Sequence, residues 1–201
     1  PEVLEWIGRF IGRIHAVGAA KPYAHRPALD PHTFGRVPFD YLRSHGFVPP
    51  ELLPAWTSVV EQALDGVQRC YERAGELPLL RLHGDCHGSN VLWTPDGPHF
   101  VDFDDSRMGP AVQDLWMLLS GERQDMVRQM GDVLAGYEDF CEFHPRQLYL
   151  VEALRTTAAH STLTLNAQSS SRFSRAEAVD RFLGGPLLPG PTRVPVNREE
   201  S

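Results

Sequence analysis

The stretch LRLHGDCHGSN, Leu80 to Asn90, sets His83, Asp85, Cys86, His87 and Asn90 at the end of a leucine-rich run. A second polar cluster, FVDFDD at 100–105, follows with Asp102 seventeen residues after Asp85. These side chains could belong to a metal site, to an assembly around a nucleophile, or to a phosphoryl-transfer site. Their surroundings have to decide among the three.

Around them the hydrophobic period is short. PLLRLH (78–83), NVLWT (90–94) and PHFVDF (98–103) read as strands, and TPDGP (94–98) between the last two is a turn signal. The two clusters therefore lie at the ends of a small β ribbon. A metal-hydrolase reading would use His83, Asp85, Cys86 and His87 with Asp102 and Asp104, all legitimate zinc or iron donors. Against it, residues 85, 86 and 87 are adjacent and point in different directions, whereas metal sites are built from spaced donors. A blander reading makes His83 and Asp85 caps of the loop backbone and leaves the acids on a solvated turn. Yet Asp102, Asp104 and Asp105 fall within four residues and repel one another unless a cation or several donors neutralise them.

Phosphoryl transfer asks for a carboxylate that takes the proton of the attacking hydroxyl. It also needs an amide oxygen nearby for a metal ion, and a further Asp between metal and phosphates. Asp85 and Asn90 are five residues apart, the spacing of the H-R-D-x-x-x-x-N catalytic loop. The hairpin then delivers Asp102, and Mg²⁺ prefers such hard oxygen ligands.

The rest of the chain reads as mostly helical. Leu4, Ile7, Ile11 and Ile14 define one face of a helix over 2–17 that stops at Gly18, and Val3, Phe10 and Val17 add a second stripe, predicting packing on two sides. Residues 19–50, rich in Pro, His and Gly, predict a loop ordered by packing with one short helix. Trp56, Val59, Val60, Ala63, Leu64, Val67 and Tyr71 predict a helix over 53–73 that ends near Gly75. Pro110 opens a predicted helix through Ser120, followed by helices over 123–140 and 145–163. Beyond Thr164 the chain turns Ser-, Arg- and Pro-rich, with helical spacing only at 174–183, and GGPLLPGPTRVPVNREES reads as a disordered tail.

Against that frame, LRLHGDCHGSNVLW…FVDFDDSRMGPAVQDLWMLLSG (80–121) resembles the H-G-D-x-H-x-x-N…[IV]-D-[FW] signature of the aminoglycoside phosphotransferase and choline-kinase superfamily. Within it, HGDCH, the spaced acids and GPAVQDLWMLL are most similar to the stress-response-type serine/threonine kinases of bacteria, and IGRFIGRIHAVG…HRP fits the same group. The resemblance covers residues 2–155 and is densest over 80–121. It implies an α+β, protein-kinase-like fold: a mostly α-helical C-terminal lobe over 1–163 with a small β-hairpin carrying the catalytic residues, and an atypical tail over 164–201.

Residue by residue, the resemblance makes Asp85 the catalytic base and Asn90 and Asp102 the Mg²⁺ ligands. His83 becomes a brace for the loop, and His87 and Asp104 either support the site or touch its contents. Gly84 and Gly88 would allow tight backbone angles, and Cys86 would be a small buried side chain. Asp114 interrupts an otherwise apolar helix, where an unpartnered carboxylate costs several kcal/mol; the resemblance has it accept hydrogen bonds from the catalytic-loop backbone. The implied activity is ATP- and Mg²⁺-dependent transfer to Ser or Thr hydroxyls of proteins. The same catalytic residues would serve a small-molecule kinase acting on an aminoglycoside, choline or homoserine-like alcohol. A nucleotide- or partner-binding remnant is a third class.

Two family features are missing. No G-x-G-x-x-G occurs, and the only lysine, Lys21, precedes a proline in a loop, a poor substitute for the lysine that grips the α- and β-phosphates. The expectation is a chain without its small N-terminal lobe, opening at Pro1 near the inter-lobe hinge and having little activity alone. The family match also fades after Thr156, as a frameshift, a truncation or divergence would make it.

Bulk properties agree with such an enzyme. A net charge of −7 argues against affinity for nucleic acid backbone. Cys70, Cys86 and Cys141 form no close-spaced pair and do not read as a disulfide framework. No apolar run is long enough to cross a bilayer and the acidic start is no signal peptide, so a cytoplasmic setting is expected.

Overall fold

The computed structural model describes residues 2–158. Helix α1 (Glu2–Ala19) buries Ile7, Gly8, Ile11, Gly12, His15 and Gly18, and packs along α5 (Arg123–Tyr137). The predicted Ile7–Ile11 stripe is buried, but the face extends through glycines, because the two helices meet backbone to backbone. A Cβ on Gly8 would lie 2.0 Å from the Val133 carbonyl oxygen, and one on Gly136 would lie 1.9 Å from that of Glu5. Gly136→Ala is therefore expected to destabilise the protein by about 2 kcal/mol, since overpacking outweighs the better helix propensity of alanine. Gly131 of the same helix has open space around it, so Gly131→Ala should stabilise by up to about 1 kcal/mol. Denaturant midpoints of the two variants should thus move in opposite directions, and a shared direction would refute the close approach.

The second stripe of α1 is only partly used. Val3 and Val17 are 56% and 68% exposed. Instead Trp6 and Phe10 meet the β hairpin: a Cβ on Gly97 would lie 3.1 Å from the Trp6 ring, and Phe10 stands edge-on to His99 at 6.1 Å.

The segment after α1 is more helical than its composition suggests. A π-helical turn, His32–Arg36, runs directly into α2 (Val37–Ser44), started by Asp30, whose carboxylate accepts the Thr33 amide at 2.7 Å. Helix α3 (Leu53–Ala74) follows, and its Trp56 stacks on Phe39 at 5.2 Å. With Leu42, Val48, Val60 and Leu64 these two rings form a small separate core.

Two antiparallel ribbons replace the single one expected. Strands β2 (Val91–Thr94) and β3 (Gly97–Phe100) make the hairpin, with Val91 opposite Phe100. Strand β1 (Leu80–Arg81) pairs with β4 (Met108–Gly109), closing a loop that contains both polar clusters. The predicted strand over 98–103 thus stops at Phe100, because Asp102 adopts a left-handed backbone, φ 65°, that no strand continues through.

Helix α4 (Val112–Trp116) is shorter than the predicted run to Ser120. Ser120 instead exchanges both backbone groups with the Gln129 side chain, at 2.9 and 2.8 Å. The last predicted helix begins as a 3₁₀ stretch, Pro145–Leu150, whose first turn is capped by His144 accepting the Arg146 amide at 3.3 Å. It continues as α-helix over 151–158. The remainder of that helix, the helical spacing at 174–183 and the proline-rich tail lie outside the described residues. The main core gathers Ile11, Leu82, Val112, Leu115, Tyr137 and Leu154. Among the described residues no helix is long and apolar enough to cross a membrane.

Candidate active site

The loop from Leu82 to Asn90 hangs from one buried carboxylate. Asp114, fully buried, accepts the His83 amide on Oδ2 at 2.7 Å and the Gly84 amide on Oδ1 at 2.9 Å. His15 from α1 reaches the same Oδ2 through Nε2 at 2.9 Å, and its Nδ1 lies 3.1 Å from the Tyr137 hydroxyl. Three donors on one carboxylate explain how an apolar helix tolerates the charge. Asp114 thus meets the loop backbone at two amides, and His15 is a further partner that the sequence reading did not name.

His83 ties the two polar clusters together. Its Nδ1 accepts the Asp85 amide at 3.3 Å, which leaves Nε2–H to donate to the Val101 carbonyl at 2.8 Å. The ring is buried and packs against Phe103, centroids 4.5 Å apart. Val101 in turn donates its amide to the Asn90 carbonyl at 3.0 Å. Asp102, the next residue, is therefore fixed beside the loop end that carries Asn90.

Gly84 is required where it stands. Its φ is +90°, and a Cβ would lie 2.2 Å from the Asp105 carbonyl oxygen, so a side chain would push the two clusters apart. Gly88 has neither a positive φ nor any neighbour within 4 Å of a Cβ; the expected conformational need does not arise there.

Asp85 and Asn90 face each other across the loop. The Asn90 Nδ2 donates to the Asp85 carbonyl at 2.9 Å and to its Oδ2 at 3.3 Å. With the NH₂ group engaged in this way, the amide oxygen Oδ1 is left without a protein partner among the described residues. The Asp102 carboxylate is likewise unpartnered among them, as is that of Asp104. Asp105 pairs with Arg107. His87 Nε2 approaches Asp85 Oδ2 at 3.1 Å, and Cys86 points into the core, fully buried.

The donor set fits Mg²⁺ and does not fit zinc. Among the described residues no three His, Cys, Asp or Glu side chains converge on one point. Burial, with Asp114 and Asp85 nearby, pushes the Cys86 thiol well above its ordinary range, so it is neither a thiolate ligand nor a nucleophile at neutral pH. An amide oxygen and a carboxylate, by contrast, are what Mg²⁺ takes from protein when phosphates and water complete its shell.

The segment after α1 clasps the acidic turn, which periodicity could not show. Arg26 donates through Nη1 to the carbonyls of Asp104 and Ser106, at 2.5 and 2.7 Å. The Tyr23 hydroxyl donates to Ser106 Oγ at 2.7 Å, and Ser106 passes its own proton to the Leu82 carbonyl at 2.6 Å. The sequence signal for His15 was available: it lies four residues after Ile11, a polar side chain on the buried face of α1.

Three comparisons bear on this geometry. The family model described as APH, phosphotransferase enzyme family, matches residues 1–151. Stress response kinase A of Escherichia coli K12 is 38% identical over 152 residues, covering 76% of this chain and 45% of that protein. The serine/threonine protein kinase RdoA of Salmonella typhimurium is 37% identical over the same coverage. The chain thus spans less than half the length of these curated relatives. Among solved structures, a choline/ethanolamine kinase family protein from Mesorhizobium loti superposes with a TM-score of 0.63 at 23% identity, covering 90% of this chain and 60% of that one. Amicoumacin kinase hAmiN, solved with AMP-PNP, Ca²⁺ and Ami, gives 0.62 at 16% identity, covering 90% of this chain and 57% of that one. At such identities the likeness is one of fold.

Proposed function

The chain belongs to the APH phosphotransferase enzyme family, and from that membership we propose that it carries the catalytic loop of an ATP-dependent kinase whose acceptors are Ser or Thr hydroxyls of proteins. The observation that carries the reading is the orientation of Asn90. Its NH₂ is held by Asp85, which leaves Oδ1 and the Asp102 carboxylate free on adjoining backbone.

In this reading the uncommitted oxygen of Asp85 accepts the proton of the attacking hydroxyl as the new P–O bond forms, and ADP departs with the bridging oxygen. Asn90 and Asp102 would hold Mg²⁺, which when bound offsets the charge of the phosphates. His83 keeps the carrier of Asp102 attached to the carrier of Asp85. Asp104 belongs to the outer support of the same turn, fixed through its carbonyl by Arg26. The protein acceptor is favoured by the name of the 37% identical serine/threonine protein kinase RdoA, whereas the small-molecule kinases share only the fold. Free Cys70, Cys86 and Cys141 and the use of ATP suit a cytoplasmic, stress-responsive enzyme.

Labelled ATP offered to the full-length protein with a generic protein substrate, and separately with choline and an aminoglycoside, tests the assignment. Label on protein Ser or Thr is the expected result. Label on a small alcohol alone would replace the protein acceptor with a small-molecule one, and no transfer to any hydroxyl would reject the kinase reading.

A further inference from the structure

His87 lies outside the set of residues that the transfer reaction uses directly, yet its ring is held at Nδ1 and sits against Asp85 at Nε2. Nδ1 accepts the Ser89 amide at 3.2 Å, and Nε2 is 3.1 Å from Asp85 Oδ2. A backbone N–H can only donate, so Nδ1 must be unprotonated, and the hydrogen of the neutral ring then sits on Nε2, beside the Asp85 carboxylate. The alternative tautomer would oppose donor to donor at Ser89 and acceptor to acceptor at Asp85. A doubly protonated ring would still collide with the Ser89 amide.

Asp85 Oδ2 accepts one N–H, from Asn90 at 3.3 Å, and lies 3.1 Å from His87 Nε2. Its Oδ1 receives none among the described residues. We propose that His87, locked as the Nε2–H tautomer by the Ser89 amide, is a positioning residue that occupies one oxygen of Asp85 so that the other is presented to the acceptor hydroxyl. With the hydrogen on Nε2, the 3.4 Å approach of His87 Nε2 to Asn90 Nδ2 brings two N–H groups together beside that carboxylate oxygen. The inference rests on the kinase reading for its consequence, but its geometry does not.

The test has two arms. In long-range ¹H–¹⁵N spectra of the full-length protein, His87 should show a protonated Nε2 and an unprotonated Nδ1, and the pattern should relax toward a free imidazole in Asp85→Ala. An Nδ1–H tautomer, or a signature indifferent to residue 85, would overturn the proposal whether or not the protein is a kinase. In the kinetic arm, His87→Ala should lower kcat by about tenfold to a hundredfold with the KM for ATP within threefold. His87→Gln, which can still donate to Asp85, should recover most of that loss, while His87→Phe, which fills the space without donating, should not. Equal activity of the Gln and Phe variants, or an effect on KM alone, would reduce His87 to packing or to a nucleotide contact and reject the role. Wild-type protein that transfers phosphate to no hydroxyl would end the kinase reading, with the spectra still deciding what holds Asp85.

Discussion

Asp85→Asn is expected to lower kcat by about a hundredfold to ten-thousandfold, the range for removing a general base, and to leave nucleotide affinity within about threefold. The substitution keeps shape and changes chemistry. Asp85 Oδ2 accepts from Asn90 at 3.3 Å and lies 3.1 Å from His87 Nε2, so the single oxygen of an introduced amide would settle on that side. Its NH₂ group would then face the hydroxyl site, presenting a donor where the reaction needs an acceptor. The fold should be indifferent, since the side chain is 33% exposed and the loop is held by backbone bonds to Asp114 instead. Steady-state transfer rates, calorimetric ATP binding and a melting curve measured on the same preparation check the three statements. Transfer within a few-fold of wild type would refute Asp85 as the base. A matching collapse of ATP binding would place it in nucleotide recognition instead.

How much of this site could be read in the chain depended on sequence distance. Asp85 and Asn90 are close enough that their spacing survives into geometry: a short loop closed by Asn90 on the Asp85 carbonyl. Asp102 was reachable because a four-residue hairpin register leaves little freedom in where its end returns. The strand lengths were not legible. A left-handed Asp102 and a pairing between residues 80–81 and 108–109 carry no hydropathy pattern. Neither did the α1–α5 contact, where the close approach depends on Gly8 and Gly136, residues that periodicity counts as neutral. The clasp of Arg26 and Tyr23 on the acidic turn joins residues separated by 78 to 83 positions, and nothing local marks either as a partner. The composition of 19–50 suggested a loop, whereas a cap at Asp30 and an apolar face from Phe39 to Leu42 were enough to make much of it helical.

Asp114→Ala should be the most damaging single change to stability, at about 3–5 kcal/mol. The carboxylate does not pair with one opposite charge; it is the common acceptor of the His83 amide, the Gly84 amide and His15 Nε2. Removing it leaves two buried donors and the half-buried Gly84 amide without an acceptor, and each unsatisfied buried group costs about 1–3 kcal/mol. Local rescue by water is limited, because Asp114, His15 and His83 are all essentially inaccessible. For a domain of this size the loss corresponds to a fall in Tm of roughly 10 °C. Activity at a temperature where the variant is still folded should fall as well, since the amides that Asp114 holds fix the two residues immediately before Asp85. A double-mutant cycle separates the contributions. His15→Phe removes one donor, so in that background Asp114→Ala strands two donors instead of three and should cost less than it does in wild type, by about 1 kcal/mol or more. Strict additivity of the two substitutions would mean that His15 and Asp114 do not share a hydrogen bond. A loss below about 1 kcal/mol for Asp114→Ala alone would mean that the loop has another anchor.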